Sequence, residues 1–580
     1  MTGQAGQAMD RRSASRALEQ IASLLEFKGE NAFRVRAFRA AARALATMPQ
    51  DLPTALADGT VAAIRGIGPA TLQIIQELAD TGQSSLLDAL RKEVPPGLVE
   101  MSRISGLGIQ RIRQVHQLLN IDSLPELEAA ARDGRLARLP RFGARTAENI
   151  LRSIRFLRQA HGLRLRHHAE QEAETLAGAL RGVPGITGVW VAGELRRAME
   201  VIREVVLVVV SEVPSPELFR RLAELPGVDE LAGRDERRVT LTFAGGAAIQ
   251  VIATPPVNLG AVLVEATGAD AHLRALETSA AARGMTLSGS ALWRGSEFVA
   301  TPDEAAFYRA LGMAWIPPEL REGGDEINLA ALGLLPELLQ QDQLRGLLHC
   351  HTGYSDGSST VEELALAARA EGYEWIGITD HSQAAAYAGG LSASTLQRQA
   401  DEIDELNQRL NGFRVLKGIE ADILKDGAID YDARVLDRLD FVIASIHNRF
   451  SLDRDAMTAR MLRALDDPHV TIIGHATGRL LLSREPYDLD VEAVLQRAAE
   501  RGVAVEINAD PHRLDLDWRH LARARELGTM ISIGADAHGV AGIQNMRHGV
   551  GVARKGKLGP GQVVNTMGAD AFLAFAAKRP

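Results

Sequence analysis

Nine imidazoles and carboxylates in the C-terminal part of the 580-residue chain stand at or just past the ends of short apolar segments: His349, His351, Asp356, His381, Glu420, His447, His475, Asp536 and His538. His349 and His351 are two apart, so in a strand both face one way while Cys350 faces the other, and Asp536 and His538 repeat that geometry. One isolated histidine is more often a hydrogen-bonded core or surface residue. Nine such groups in the same structural register predict a metal centre. Imidazole and carboxylate without thiolate suit Zn²⁺, Mn²⁺ or Fe²⁺ rather than Mg²⁺ or Cu⁺. Nine ligands exceed what one ion needs, and a carboxylate such as Glu420 can bridge two. Clustered ions of this kind activate water and neutralise phosphate oxygens in an in-line displacement, which points to phosphoester hydrolysis.

The segments that must position these groups read LLHCHTG, EWIGITDH, RVLKGIEAD, FVIASIHN, VTIIGHATG, VAVEINAD and MISIGADAH, each followed by a helical run. That alternation predicts βα units around a parallel sheet or barrel, whose active sites form at the C-terminal ends of the strands. Residues 1–160 read as helices almost throughout. Short β-branched strands begin near Gly188, and the turn-rich IPPELREGGDE marks a boundary near Asp325. Apolar and charged fractions of 46% and 24% are ordinary for a globular chain and exclude wholesale disorder or a fibrous protein. No apolar run approaches the roughly 18 residues of a bilayer span, and the N-terminus lacks the apolar core of a secretory signal. One cysteine excludes an internal disulfide framework; a cytoplasmic protein with no membrane partner is expected.

The net charge of −9 is uneven: residues 1–166 hold 24 Lys and Arg against 16 Asp and Glu, and the rest carries a surplus of 17 acids. In this basic part three related elements recur, Ile64-Arg-Gly66-Ile-Gly68, Ile104-Ser-Gly106-Leu-Gly108 and Leu139-Pro-Arg141-Phe-Gly143, each followed by an apolar-periodic helix. Glycines let the backbone turn tightly, and the amides at a following helix N-terminus cradle a DNA phosphate without reading sequence. The third element is the least regular, because Arg141 stands where the first glycine would be. Candidate DNA-binding residues are Gly66, Gly68, Gly106, Gly108, Arg111, Gly143 and Arg145.

Several motifs carry a family resemblance. His349-Cys-His351-Thr-Gly-Tyr-Ser-Asp356, Thr379-Asp380-His381, Gly418-Ile-Glu420, Ser445-Ile-His447, Gly474-His475 and Asp536-Ala-His538 resemble the polymerase and histidinol phosphatase (PHP) superfamily over residues 345–564. The resemblance implies a distorted seven-stranded barrel with up to three ions: one held by His349, His351, Glu420 and Asp536, a second by Glu420, His447 and His475, a third by Asp356, His381 and His538. The stretches His475-Ala-Thr-Gly-Arg479 and Asn508-Ala-Asp-Pro-His-Arg513 resemble PHP domains fused to bacterial family X DNA polymerases, with Arg479 and Arg513 as candidate phosphate contacts. Lys28-Gly-Glu-Asn-Ala-Phe33 and Trp315-Ile-Pro-Pro-Glu extend that resemblance to the whole chain. It implies a small helical DNA-end-binding domain with a helix–hairpin–helix (1–90), helical fingers with two more (91–160), an α+β nucleotidyltransferase-like palm (161–258), a thumb (259–325), a linker (326–344) and a distorted (β/α)7 PHP barrel (345–580).

The palm departs from the family pattern. The three positions that hold carboxylates for Mg²⁺ in the family are here Glu204, Val206 and Gln250, and Glu194 puts a carboxylate where the family places a hydroxyl beside the nucleotide's triphosphate. Polymerase activity is therefore expected to be weak or lost, unless Glu200, Glu204 and Glu212 form a substitute site. Abasic-site lyase chemistry needs a lysine, and the positions where the family it resembles carries one are here Ala70 and Ile74, with only Lys28 and Lys92 in the region. The expected function is a Mn²⁺- or Zn²⁺-dependent 3′–5′ exonuclease or phosphodiesterase acting as a monomer on gapped, nicked or broken DNA in repair. Two other readings stand beside it: a non-catalytic DNA-binding scaffold, and a small-molecule phosphatase of the histidinol phosphatase type.

Overall fold

The structure is a computed structural model that describes residues 11–48, 50–64, 67–102, 104, 107–243 and 246–577. It divides into two compact units, Met1–His161 and Gly162–Pro580.

The first unit is helical. Its core is built from Leu18, Ile21, Leu25, Phe38, Leu45, Ile75, Leu78, Ile112, Val115, Ile150 and Ile154, which recur at three- and four-residue spacing on successive helices. The helices Pro69–Thr81, Ile109–Leu119 and Ala144–Ala160 start at Gly68, Gly108 and Gly143. Each is entered through the same turn: the amides of Ile67, Leu107 and Phe142 donate to the carbonyls of Ile64, Ile104 and Leu139 at 3.1, 3.1 and 3.0 Å. Arg141 takes a φ of +67°, the left-handed conformation that glycine adopts without strain, so the irregular third element makes the same turn at some cost. Gly66 and Gly106 lie outside the described residues.

The second unit holds, after a two-residue strand and the helix Arg166–Arg181, a five-stranded sheet: β1 (Ile186–Ala192), β2 (Val205–Ser211), β3 (Val228–Gly233), β4 (Arg238–Phe243) and β5 (Ala248–Thr254). Its order is β1-β2-β5-β4-β3, with β2 and β5 parallel and the other pairs antiparallel. β2 is buried on both faces, which explains its unbroken apolar run. Val205, Leu207 and Val209 join one core cluster, whereas Val206 and Val208 join another with Ile252, Val262 and Leu263. A three-stranded antiparallel sheet follows: β6 (Met285–Ser288), β7 (Ala291–Arg294) and β8 (Glu297–Val299). Glu304 binds Arg196 through both oxygens (2.7 and 2.8 Å), and also Arg321 (2.6 Å) and the Trp315 indole (3.1 Å).

The last sheet is parallel throughout: β9 (Gly346–Cys350), β10 (Trp375–Ile378), β11 (Arg414–Lys417), β12 (Glu420–Asp422), β13 (Val442–Ser445), β14 (Val470–Ile473), β15 (Ala504–Asn508) and β16 (Ile531–Ala537), in the order β11-β10-β9-β16-β15-β14-β13-β12. β11 and β12 are two halves of one strand, broken at Gly418-Ile419. The second half exchanges backbone bonds with Asp380 and Ser382 beyond β10, so the sheet curls back on itself. The seven sequence segments therefore become eight strand pieces. Gly377 and Gly418 must be glycine because the Phe441 ring stands 2.5 Å from where either Cβ would lie. Phe441 and Trp375, at strand starts, pack on Phe572 of the helix Ala569–Ala577, which leaves the C-terminal strand ends to form the site.

Candidate metal centre

All nine residues singled out in the barrel converge. His349 lies in β9, where the register slips against both β10 and β16, and this bulge gives it a φ of +62°. Asp536 in β16 (φ +49°) and His475 after β14 (φ +24°) are also left-handed. Non-glycine residues in that region each cost about 1–3 kcal/mol, and three of them together at strand ends mark a site where geometry is set against local comfort. His381 and His447 follow β10 and β13, Glu420 opens β12, and His351 and His538 step out of β9 and β16.

Glu420, 1% exposed, is the hub. Five imidazoles lie around its two oxygens: His381 Nδ1 at 2.8 Å, His475 Nε2 at 3.0 Å, His349 Nε2 and His447 Nε2 at 3.3 Å, and His351 Nε2 at 3.8 Å. Asp536 Oδ1 is 3.4 Å from His351 Nε2 and 3.8 Å from His349 Nε2. Asp356 Oδ1 is 3.5 Å from His538 Nε2 and 3.6 Å from His381 Nε2. In four overlapping groups each residue brings one donor atom within 4.8 Å of the others: His349 with His351 and Asp536; His351 with Asp356, His381 and His538; His349 with Glu420 and His475; His381 with Glu420 and His447. His447 and His475 thus share the same Glu420 oxygen, while their own ring nitrogens fall into different groups within that distance.

The donor atoms fit a divalent cation. His349 Nε2, both ring nitrogens of His351, His381 Nδ1, Glu420 Oε2 and His475 Nδ1 are buried without a hydrogen-bond partner, and one such buried group costs about 1–3 kcal/mol. Burial works against charge here, but the carboxylates override it at several imidazoles. Glu506, Glu420 and Asp536 hold His349 well above its usual range. Glu420 and Asp422 push His447 up to about 10, and Asp356 and Asp536 push His538 up to about 9. Despite the same burial, the surrounding histidines hold Glu420, and His349, His351 and Arg513 hold Asp536, well below the carboxylate range. The carboxylates draw positive charge to this face as protons on the imidazoles, and a divalent cation would supply that charge in their place.

Three carboxylates that sequence reasoning assigned no role support the centre. Glu506, fully buried in β15, accepts from His349 Nδ1 at 2.5 Å and from the His475 amide at 2.7 Å. Asp422 accepts from His447 Nδ1 at 2.7 Å. With Nδ1 committed, each ring presents Nε2 to Glu420, the arrangement that fixes tautomer and orientation in metal sites. Asp380 accepts from Thr352 N (2.8 Å), Thr352 Oγ1 (2.7 Å), Ser355 N (3.2 Å) and Gln399 Nε2 (2.5 Å), which pins the loop carrying Asp356. The available signal was a charged residue inside an otherwise apolar strand: Glu506 and Asn508 alternate in Ala504–Asn508, and Asn508 Nδ2 donates to Asp536 at 3.0 Å.

The two arginines part company. Arg513 Nε lies 3.5 Å from Asp536 Oδ2, beside the cluster. Arg479 is not brought to it: 8% exposed, it donates to the carbonyls of Arg513 (3.0 Å) and Leu514 and pairs with Asp517 at 2.5 Å. Its fork is spent on holding the loop that carries Arg513.

Comparison with known proteins decides the family. Residues 9–84 match the helix-hairpin-helix domain, 98–155 the SAM-like helix-hairpin-helix tandem, 262–322 the DNA polymerase beta thumb and 348–510 the PHP domain. The chain is 34% identical over 578 residues to the DNA polymerase/3′-5′ exonuclease PolX of Bacillus subtilis (strain 168), covering 98% of this chain and 99% of that one. The chain belongs to the PolX family. A probable phosphatase of Photobacterium profundum is 32% identical over 242 residues, which is 40% of this chain and 93% of that protein. A probable phosphatase of Caldanaerobacter subterraneus subsp. tengcongensis is 31% identical over 207 residues, 33% of this chain and 74% of its own.

Within this PolX chain Val206 is apolar, Gln250 is buried and uncharged, and Glu204 and Glu194 are engaged elsewhere. Val206, 7% exposed, packs in the core and pairs across the parallel ladder with Gln250. Glu204 pairs with Arg234 at 2.6 Å, and Glu194 accepts from the Arg203 amide at 2.6 Å. Glu200, 6% exposed, points the other way, accepting from Arg519 Nη1 (2.6 Å) and the Trp518 indole (3.3 Å) on the barrel. Among the described residues, Glu200, Glu204 and Glu212 enter no group able to hold an ion; the four groups found all lie in the barrel. In the helical unit Gly68, Gly108 and Gly143 have open space where a Cβ would sit, so their helix N-termini are accessible, and Arg111 stacks over the Phe142 ring at 5.7 Å. Ala70 is exposed and Ile74 half-buried at the expected lyase positions, and Lys28 is tied to Glu93 at 2.5 Å.

No helix among the described residues is long and apolar enough to cross a membrane.

Proposed function

We propose that this PolX chain is a metal-dependent DNA 3′–5′ exonuclease or phosphodiesterase whose chemistry resides in the barrel. The observation that carries the reading is the convergence of nine imidazoles and carboxylates, several with buried unpartnered donor atoms, on one end of a parallel barrel. His349, His351, Asp536 and Glu420 would hold one ion, Glu420 with His447 and His475 a second, and Asp356, His381 and His538 a third; Mn²⁺ and Zn²⁺ are the ions this donor set favours. Bound there, such ions supply an activated water and neutralise charge at phosphorus.

The chain's own residues do the rest. Glu506 and Asp422 fix the imidazoles, Asp380 holds the Asp356 loop, and Arg513 offers a guanidinium to a phosphate oxygen beside Asp536. The hairpins at Gly66-Ile-Gly68, Gly106-Leu-Gly108 and Arg141-Phe-Gly143, with Arg111 and Arg145, bind the backbone of gapped, nicked or broken DNA. We read residues 1–90 and 91–160 as the DNA-end-binding domain and fingers, 161–258 as a palm kept as scaffold with nucleotidyl transfer weak or lost, 259–325 as the thumb and 345–580 as the catalytic barrel of a cytoplasmic monomer. The test is digestion of end-labelled DNA with Mn²⁺ by the wild type and His351→Ala. Stepwise 3′ shortening that the substitution abolishes supports the reading; equal activity in the folded variant refutes it.

A second reading, a phosphatase for small phosphomonoesters, draws on the probable phosphatases that match the barrel alone. It leaves the basic helical unit without a role, and DNA affinity that falls steeply with salt would count against it.

A further inference from the structure

We infer that Tyr387 forms a nucleobase-stacking subsite at the mouth of the metal centre, receiving the base of the terminal nucleotide whose phosphodiester is cleaved. The inference rests on the proposed DNA phosphodiesterase reading and names what that site recognises beyond phosphate.

Tyr387 is 71% exposed, among the most exposed large hydrophobic side chains of the described residues. It is not on a loose segment. The turn Ala386–Ala388 hangs from a closed loop in which the Leu391 amide donates to the His381 carbonyl (2.9 Å), the Gly390 and Ala388 amides engage the Ala385 carbonyl (3.1 and 2.9 Å), and the Ala384 amide donates to Asp430 (2.7 Å). Ala385 and Ala388 on either side are buried, and Gly390 sits so close to the Ser382 carbonyl that a Cβ would collide with it. A rigid backbone thus holds a large aromatic ring in water.

The ring's position gives that exposure a purpose. Its centroid is 6.1 Å from the His381 ring and 6.2 Å from the His447 ring, both part of the cluster around Glu420. Among the described residues no hydrogen bond engages its hydroxyl. A nucleotide carries its base one sugar ring away from its phosphate, and Tyr387 stands one imidazole away from the donor atoms that would face that phosphate. Arg513, beside Asp536, offers a cation to the phosphate, and Tyr387 offers a π-face to the base. Stacking on an aromatic face accepts any base, as an exonuclease moving through sequence requires.

The test compares the full-length wild type, Tyr387→Ala and Tyr387→Phe with Mn²⁺ on two oligonucleotides, identical except that the 3′-terminal nucleotide is either normal or a tetrahydrofuran abasic analogue. Tyr387→Ala is expected to lower kcat/KM on the normal end by about 5- to 150-fold, the range for loss of one base–aromatic stack, and to leave the abasic end nearly unchanged. Tyr387→Phe, which keeps the ring, should retain the wild-type preference. Equal loss on both ends, no loss on either, or the same damage from Phe as from Ala overturns the subsite. A wild type that cleaves neither end overturns the phosphodiesterase reading itself, and with it the subsite.

Discussion

Glu506→Gln gives a sharp test of how the centre is held. The carboxylate is fully buried, and its oxygens face only donors: His349 Nδ1 at 2.5 Å on one side, the His475 amide at 2.7 Å and Asn508 Nδ2 at 3.3 Å on the other. A glutamine has one acceptor and one donor end, so either rotamer sets an NH₂ against a donor. If the amide faces His475, a buried backbone donor goes unpaired, at about 1–3 kcal/mol. If it faces His349, the ring must accept at Nδ1 and carry its proton on Nε2, the atom turned toward Glu420 and Asp536. Loss of such an outer partner typically costs about 10- to 100-fold in metal affinity or activity, or about 1.4–2.8 kcal/mol. Calorimetric titration with Mn²⁺ or Zn²⁺, paired with hydrolysis rates over a range of metal concentrations, should show weaker binding and partial rescue at high metal. A folded Glu506→Gln with wild-type metal affinity and wild-type rate would refute the reasoning.

Three further outcomes are expected. Arg321 and Arg196 overcome burial to hold Glu304 down to about 2, from an ordinary 4.5. That difference corresponds to about 3 kcal/mol, present above pH 4.5 and lost as pH falls toward 2. Urea unfolding against pH should therefore be steeper over that window in the wild type than in Glu304→Gln, and parallel curves would contradict it. Glu200→Ala removes the buried acceptor of Arg519 and Trp518; Arg519 is half exposed and keeps Asp517, so the cost should be about 1–3 kcal/mol, read as a fall in Tm; an unchanged Tm would mean Glu200 does not fasten this segment to the barrel. Gly377→Ala drives a Cβ to 2.5 Å from the Phe441 ring and should destabilise by about 1–3 kcal/mol, a cost that Phe441→Leu in the same chain should partly relieve.

Much of the site was legible because its donors lie at the ends of βα strands, where types and spacing are local facts. The supporting carboxylates were not, because each meets its imidazole only through the fold: Asp422 reaches His447 across 25 residues and Glu506 reaches His349 across 157. Simple alternation placed His349 and His351 on one face, but their approach depends on a bulge in β9 that alternation cannot show. Arg479 looked equivalent to Arg513 in sequence, and only packing reveals that one is buried under the loop that carries the other. In the helical unit the pattern of turns was legible even where Arg141 broke it, because the hydrogen bond from Phe142 to Leu139 needs the backbone shape and not the glycine. At position 206 the residue type alone speaks, since valine offers no metal ligand in any fold.

The most direct measurement uses one gapped duplex with 3′ and 5′ labels, incubated with the wild type and Mn²⁺, with and without dNTPs, beside His351→Ala. Stepwise 3′ shortening that disappears in His351→Ala, with no extension when dNTPs are added, is the result expected of a hydrolytic barrel joined to a silent palm. Extension of the primer would contradict the reading of Val206 and Gln250, and shortening that survives His351→Ala would contradict the barrel as its source.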